Sequence, residues 1–427
     1  MKRGVFIAPW IVLSTSPLYG IDTAHEIAVL KEQVQTLMQR INELEKNQSA
    51  PKPQDIKTTA ETAKPAAAPA AQPEPKNSGL EIPKAITTSG NDKVQLRISG
   101  HVNRAILYGN NGTNSRLTHV DNANSNSRVR FEGLASLSKK LKLGTNFEAG
   151  FSPNSSDSID LGVGSPNPTT FNARKAEAFV EHDNYGKLSV GHGYTASYEI
   201  VQSDLSGTYV MTDGATAEFF AGGITFFNVN GSKGPSIGQV FQGMDGLRRD
   251  NRLRYDTPQM RGFKLSSSHV QGDMGDIALR YAGEIAKTQI QGGIAFANDR
   301  KGSKSNQTSG SISFLHACGL SLTLGAGNRS YKSFANRKRQ GFMGYIKGGY
   351  QMKYFTWGPT SVAVDFAKGA HIFADNYVTH IWGAYLVQNV DPAATELFIG
   401  ARKHQLFSPG QRYKDIFAVM SGARIKF

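Results

Sequence analysis

The sequence predicts an all-β protein, a transmembrane antiparallel β-barrel of about 16 strands preceded by a short α-helical coiled coil. Three observations predict it. Side-chain character alternates with period two from about Val94 to the last residue. The chain ends in a strand with one apolar face that closes on Phe427. Beyond the N-terminus there is no apolar run near 18 residues, so no helix spans a bilayer. A barrel hides its lipid face at every second residue, so a hydrophobic fraction of only 39% is compatible with membrane insertion. The 45 Gly, 15 Tyr and 23 Phe suit tight turns and interfacial girdles.

In chain order, residues 1–20 read as a signal peptide. Lys2 and Arg3 start it, and Gly4 to Leu13 form a short apolar core interrupted by Pro9. Leu18 is large for the −3 position of a cleavage after Gly20. Residues 21–46 read as a coiled coil. Ile27, Val34 and Ile41 fill a positions, and Leu30, Leu37 and Leu44 fill d positions. Such a seam suits dimers, yet Arg40-Ile41-Asn42-Glu43-Leu44-Glu45 resembles a short trimer motif, and a homotrimer is the expectation. Residues 47–92 read as a linker. Pro51, Pro53, Pro65, Pro69, Pro73, Pro75 and Pro83 stand among Ala, Lys, Gln and Glu and cannot bury a core.

Residues 93–427 read as the barrel. On the last strand Phe417, Val419, Ser421, Ala423, Ile425 and Phe427 share one face, and Ala418, Met420, Gly422, Arg424 and Lys426 share the other. Taken alone, that segment also fits an edge strand of a soluble sandwich. The same alternation recurs at Leu96/Ile98, Val129/Phe131, Leu253/Tyr255, Ile277/Leu279, Leu320/Leu322/Leu324 and Val362/Val364. Only Ala173 to Glu181 gives no assignable faces. At roughly 20 residues per strand and connection, residues 94–427 supply about 16 strands, which enclose a water-filled channel.

Several segments resemble the Gram-negative general porins. Ser127-Arg128-Val129-Arg130-Phe131-Glu132-Gly133 with Leu141-Lys142-Leu143 is similar to their early hairpin. Ala178-Phe179-Val180 with Tyr185-Gly186-Lys187-Leu188-Ser189-Val190-Gly191-His192 is similar to their A-F-V and F-G-x-x-x-x-G-R stretch. Asn251-Arg252-Leu253-Arg254-Tyr255-Asp256-Thr257-Pro258 is similar to their N-S-V-R-Y-D-S-P, and the terminal Phe427 resembles their insertion signal. A coil followed by a 16-strand barrel resembles the DcaP-type porins, trimers associated with uptake of dicarboxylates and other acidic solutes. The resemblance implies a bacterial outer-membrane location with the coil in the periplasm. It also implies recognition of the C-terminal strand by the barrel-assembly machinery, contact with lipopolysaccharide, and a third extracellular loop folded into the pore. The matching loop runs from about Tyr194 to Asp245 and carries Glu199, Asp204, Asp213, Glu218 and Asp245. By motif position Arg128 matches a wall arginine, and His192 stands where the family has arginine.

Charge points the same way. Of 48 basic and 34 acidic residues, 1–93 hold 11 and 10, which leaves 37 and 24 for the barrel, a net +13. Alternation turns Arg97, Arg128, Arg130, Arg252, Arg254, Arg280 and Arg424 inward, and basic linings favour anions. His192 joins this expected lining, with Asp204, Asp213 and Glu218 opposite on the loop. A nucleic-acid reading of the basic charge lacks any recognition module. An enzymatic reading lacks a nucleophile elbow or metal spacing, and Cys318 stands alone in a turn. The expectation is a passive channel for small acidic solutes with no cofactor and no metal; the alternative is a structural or adhesive outer-membrane barrel.

Overall fold

The computed structural model describes Gln39 and residues 87–88, 93–162, 171–301, 304–331 and 340–427. The signal peptide, the coil seam Ile27, Leu30, Val34, Leu37, Ile41 and Leu44, and nearly all of the linker lie outside these residues.

Alternating sequence becomes a closed antiparallel barrel of 16 staves. The first stave, Gln95–Asn110, pairs with the last, Ile416–Lys426, from His101 opposite Lys426 to Asn110 opposite Phe417. Closure leaves no unpaired edge in lipid. The terminal residue takes part: Phe427 and Gly100 exchange backbone hydrogen bonds of 3.0 and 2.8 Å. A Cβ on Gly100 would lie 2.7 Å from the Phe427 ring, so glycine makes room for the terminal phenyl. The second stave is two strands, Ser115–Asp121 and Ser127–Ser136, split by a 3₁₀ turn at Ala123–Ser125. Leu141–Phe151, Phe171–His182, Gly186–Tyr194, Arg249–Asp256, Phe263–Val270, Met274–Ile285 and Thr288–Asp299 continue the circuit. Ser305–His316, Leu320–Tyr331, Gln340–Phe355, Gly358–Ala370, Val378–Val390 and Thr395–Ser408 complete it. Thr87 and Thr88, at the end of the expected linker, pair with Leu96 and Gln95.

Every alternation assigned from sequence keeps its face. Ile98, Phe131, Leu253, Ile277, Leu322, Val364, Phe417 and Ile425 are exposed on the outside. The stretch that resisted assignment contains a β-bulge. Glu148 pairs with Lys175 but Ala149 with Ala173, so Arg174 is the extra residue. Arg174 and Lys175 are consecutive, and both are buried inside. A period-two reading fails at such a site because a bulge turns two neighbours to one face.

One end of the barrel has tight turns. Gly186 there has φ +88°, and a Cβ would lie 2.1 Å from the Asp256 carbonyl, so the turn admits only glycine. The other end carries the longer loops. The largest spans 195–248 between the directly paired strands Gly186–Tyr194 and Arg249–Asp256. It holds short helices at Ala217–Ala221 and Ile237–Val240 and a ribbon of Thr225–Phe227 with Lys233–Ser236.

Candidate functional site

The long loop turns into the barrel because its apolar residues find apolar inward positions on the wall. Val210, Met211, Phe220, Ile224, Phe226 and Ile237 pack with Leu107, Val120, Val387, Phe398, Ile416 and Met420. Ile200, Val201, Phe241 and Met244 pack with Ala278, Met343, Tyr345 and Ile381. The interior is therefore partly a side-chain core, where the strand count alone predicts an open channel.

Polar anchors fix the loop along this wall. Ser203 N–H donates to Ser311 Oγ at 3.1 Å, Tyr345 O–H to the Val201 carbonyl at 2.8 Å, and Asn122 Nδ2 to the Val210 carbonyl at 2.8 Å. Two ion pairs with fully buried side chains sit beneath it. Lys347 Nζ meets Asp204 at 2.7 Å and donates to the Thr212 carbonyl at 2.7 Å. Arg402 meets Asp365 at 2.7 Å and donates to Thr212 Oγ1 at 3.0 Å, while Tyr385 O–H donates to Asp365 at 3.0 Å. Strand register puts Lys347 opposite Asp365, and Asp365 and Arg402 both opposite Gly383. Tyr385 fills the space that Gly383 leaves.

The wall from Ser127 to Tyr194, with Arg249–Asp256, is different. Glu148 is fully buried at its centre. Arg130 Nε donates to it at 2.7 Å, Arg174 Nε lies at 2.5 Å and Arg128 at 3.8 Å. Arg174 also donates to Asn126 Oδ1 at 2.8 Å. Lys175 Nζ stands 3.9 Å over the Tyr194 ring, which stacks on Tyr198 at 4.3 Å, with Arg249 5.2 Å over Tyr198. One carboxylate thus serves three guanidiniums and a nearby ammonium, and the cluster keeps an excess of positive charge. Arg252 pairs with Glu177 and donates to the Tyr194 carbonyl at 2.9 Å. Arg254 pairs with Asp256 at 2.7 Å and donates to the Thr195 carbonyl at 2.9 Å, fixing the root of the loop.

The remaining expected residues divide. Arg280 donates to the Tyr198 carbonyl at 2.7 Å, and its Nη1 is buried without a hydrogen-bond partner. Arg424 pairs with Glu396 and donates to Ser125 Oγ at 2.8 Å. Arg97 is exposed near the tight-turn end, opposite Glu132. His192 corrects the expectation: it sits opposite Ala176 and Asn251, on the face of Leu188 and Val190. A Cβ on its neighbour Gly193 would meet Glu177 and Arg252 inside, so register turns His192 outward. Motif position suggests the lining, whereas counting along the strand from Leu188 and Val190 gives the outer face.

The loop carboxylates are mostly engaged in the loop's own packing. Besides Asp204, Asp213 accepts from the backbone N–H groups of Ala215 and Thr216 at 2.9 and 2.8 Å, and Glu218 accepts from Gly243 N–H at 3.0 Å. Burial pushes the Asp213 and Glu218 carboxyls up to about 7 and Asp245 up to about 6. Each has one oxygen without a partner, as a protonated carboxyl in a tight setting would. Glu199 alone of the five is exposed. Sequence reasoning passed over Arg174, Lys175, Lys347, Asp365 and Arg402. The adjacent Arg174-Lys175 pair, two basic residues in succession on a strand, was the available sign of the bulge.

A family model of the Gram-negative porins matches residues 59–403. The chain belongs to that family. No curated protein sequence matches it significantly. Among solved structures, the anion-selective porin from Comamonas acidovorans is 15% identical with a TM-score of 0.54, covering 78% of this chain and all of that one. OmpT of Vibrio cholerae is 10% identical with a TM-score of 0.53, covering 80% of this chain and all of that one. The outer membrane channel DcaP of Acinetobacter baumannii is 12% identical with a TM-score of 0.50, covering 80% and 99%. At such identities these structures establish the fold of this porin. As an outer-membrane barrel it has its tight turns on the periplasmic side and its longer loops outside.

Proposed function

We propose that this porin is a diffusion channel preferring small acidic solutes, dicarboxylates among them. The observation that carries the reading is the basic cluster around Glu148, where Arg128, Arg130, Arg174 and Lys175 gather about one carboxylate. Partly exposed guanidiniums beside a water-filled lumen lower the barrier for anions, while the tyrosines at the loop root offer an apolar, hydrogen-bonding surface. No chemical step is involved. The coil Ile27 to Leu44 and its trimer-like motif support a homotrimer with the coil in the periplasm, joined to the barrel by the Pro-rich linker. Phe427 supports delivery by the barrel-assembly machinery.

Proteoliposome swelling tests the transport reading. Succinate should enter faster than a neutral solute of similar size, and the difference should shrink in 1 M salt, where the screening length is about 3 Å. No swelling with either solute would favour the adhesive or structural alternative. Native mass spectrometry should find three copies, and removal of residues 21–46 should weaken the trimer without preventing insertion.

A further inference from the structure

A second polar site lies apart from the Glu148 cluster. At the extracellular mouth, between the long loop and the strand ends, is a cavity of about 660 Å³. The loop lines it with Glu218, Gln242 and Arg248, the 3₁₀ turn Ser156–Ser158 with Asp157, and the wall with Lys301 and Arg329.

Arg329, near the extracellular end of Leu320–Tyr331, is held by amides and by no carboxylate among the described residues. Its Nε and Nη2 donate to Gln307 Oε1 at 3.0 and 2.8 Å, and its Nη1 donates to Gln242 Oε1 at 2.6 Å. Gln307 spends its own Nε2 on the Met244 carbonyl and Ser309 Oγ, which turns its carbonyl oxygen to Arg329. Neutral acceptors aim the guanidinium without cancelling its charge. N–H groups on both terminal nitrogens are left for a ligand.

Arg248 is exposed, and its side chain has no hydrogen-bond or ion-pair partner among the described residues. Its φ is +62°, a left-handed conformation in which glycine is free and arginine is strained. The Arg248 carbonyl accepts from Thr195 N–H and Oγ1, both at 3.0 Å, which fixes the backbone there. The buried carboxyls on which its charge acts, Glu218 and Asp245, are pushed up to about 7 and about 6, so they offset it only in part. Backbone strain of this kind collects where a side chain is held for a ligand.

The acidic side is smaller. Asp157 is half-buried, accepts from Ser158 Oγ at 2.8 Å and pairs with no cation among the described residues. Two other carboxylates of the lining are engaged by Lys301: its Nζ lies 3.5 Å from Asp250, and its backbone N–H donates to Asp299 at 2.9 Å. The charged groups left open are thus two guanidiniums and one carboxylate.

We propose that this cavity is a capture site for acidic amino acids, whose two carboxylates meet Arg329 and Arg248 and whose ammonium meets Asp157. The inference deepens the diffusion-channel reading and rests on it for passage beyond the mouth. The Glu148 cluster, with its excess of positive charge, asks only for an anion. The cavity asks for both signs on one solute.

The test is isothermal titration calorimetry of the full-length oligomer in detergent, with L-aspartate and with succinate, which differ only in the amino group. Aspartate should bind about tenfold tighter, the value of one charge-assisted contact. Asp157→Asn should remove that advantage by weakening aspartate and not succinate, a pattern that general damage to the mouth would not give. Arg248→Gly removes a charge and relieves the left-handed backbone, so the turn persists while both solutes bind about tenfold more weakly. Equal affinity for the two solutes overturns the proposal. So does equal weakening of both by Asp157→Asn, or an unaltered aspartate affinity in Arg248→Gly. Proteoliposome swelling separates the two readings. Succinate entry without an aspartate advantage in binding overturns the capture site alone, whereas no swelling with either solute overturns the channel reading on which capture for uptake rests.

Discussion

The two halves of the barrel wall obey one sequence rule and end in opposite states. On the Ser305–Lys426 side, two inward ion pairs lie beneath the loop and are wholly buried: Lys347 with Asp204, Arg402 with Asp365. On the Ser127–Asp256 side, Arg128 and Arg130 keep part of their surface open around Glu148. Inward alternation alone therefore does not make a charge part of the pore lining. What decides is whether the loop lies over it, and that depends on apolar partners such as Phe398, Met420 and Val387 facing inward nearby. One wall fastens the loop, and under the proposed function the other sets selectivity.

The largest effect should come from breaking the fastening wall. Asp365→Ala leaves Arg402 buried and uncompensated, and loss of one partner of a buried pair costs about 3–5 kcal/mol. The variant should unfold from its heat-resistant form at lower temperature on gels and be cleaved by protease within 195–248. If it resists both as wild type does, the loop is held by other contacts.

Next is Glu148→Gln on the other wall. It removes the carboxylate shared by Arg128, Arg130 and Arg174, costing about 1.5–3 kcal/mol, and should strengthen anion preference in bilayers. A weaker preference would mean that Glu148 organises the arginines more than it offsets them.

A third test uses pH. Asp213, Glu218 and Asp245 have folded values near 7, 7 and 6, above the ordinary carboxyl range of about 4. Between these values the folded loop binds more protons than the unfolded chain, so the contribution of these three carboxyls to loop stability is full below pH ~4 and is lost as pH rises to about 7. Amides of 195–248 should exchange more slowly at pH 5 than at pH 8 after correction for intrinsic rates, and barrel amides should not share the change. The smallest expected effect is that of His192→Ala. Because that side chain faces outward, selectivity should be unaltered.

Much of this was legible in the sequence, for a physical reason. Lipid contact forces strict alternation, and so Leu322, Val364 and Ile425 declare their faces. The bulge at Arg174 hid part of the basic cluster, since one inserted residue breaks the period while backbone pairing continues on both sides. The roles of Asp204, Asp213 and Glu218 were not legible because they depend on contacts between residues far apart in sequence, such as Lys347 with Asp204. His192 was legible: counting from Leu188 and Val190 places it outside.

The central claim is that the uncovered basic wall sets selectivity. Reversal potential across a planar bilayer in a KCl gradient, at low salt, tests it most directly. Wild type should be anion-selective, and Arg128→Glu with Arg130→Glu should shift the potential toward cations. A cation-selective wild type whose potential the double variant leaves unmoved would contradict the account.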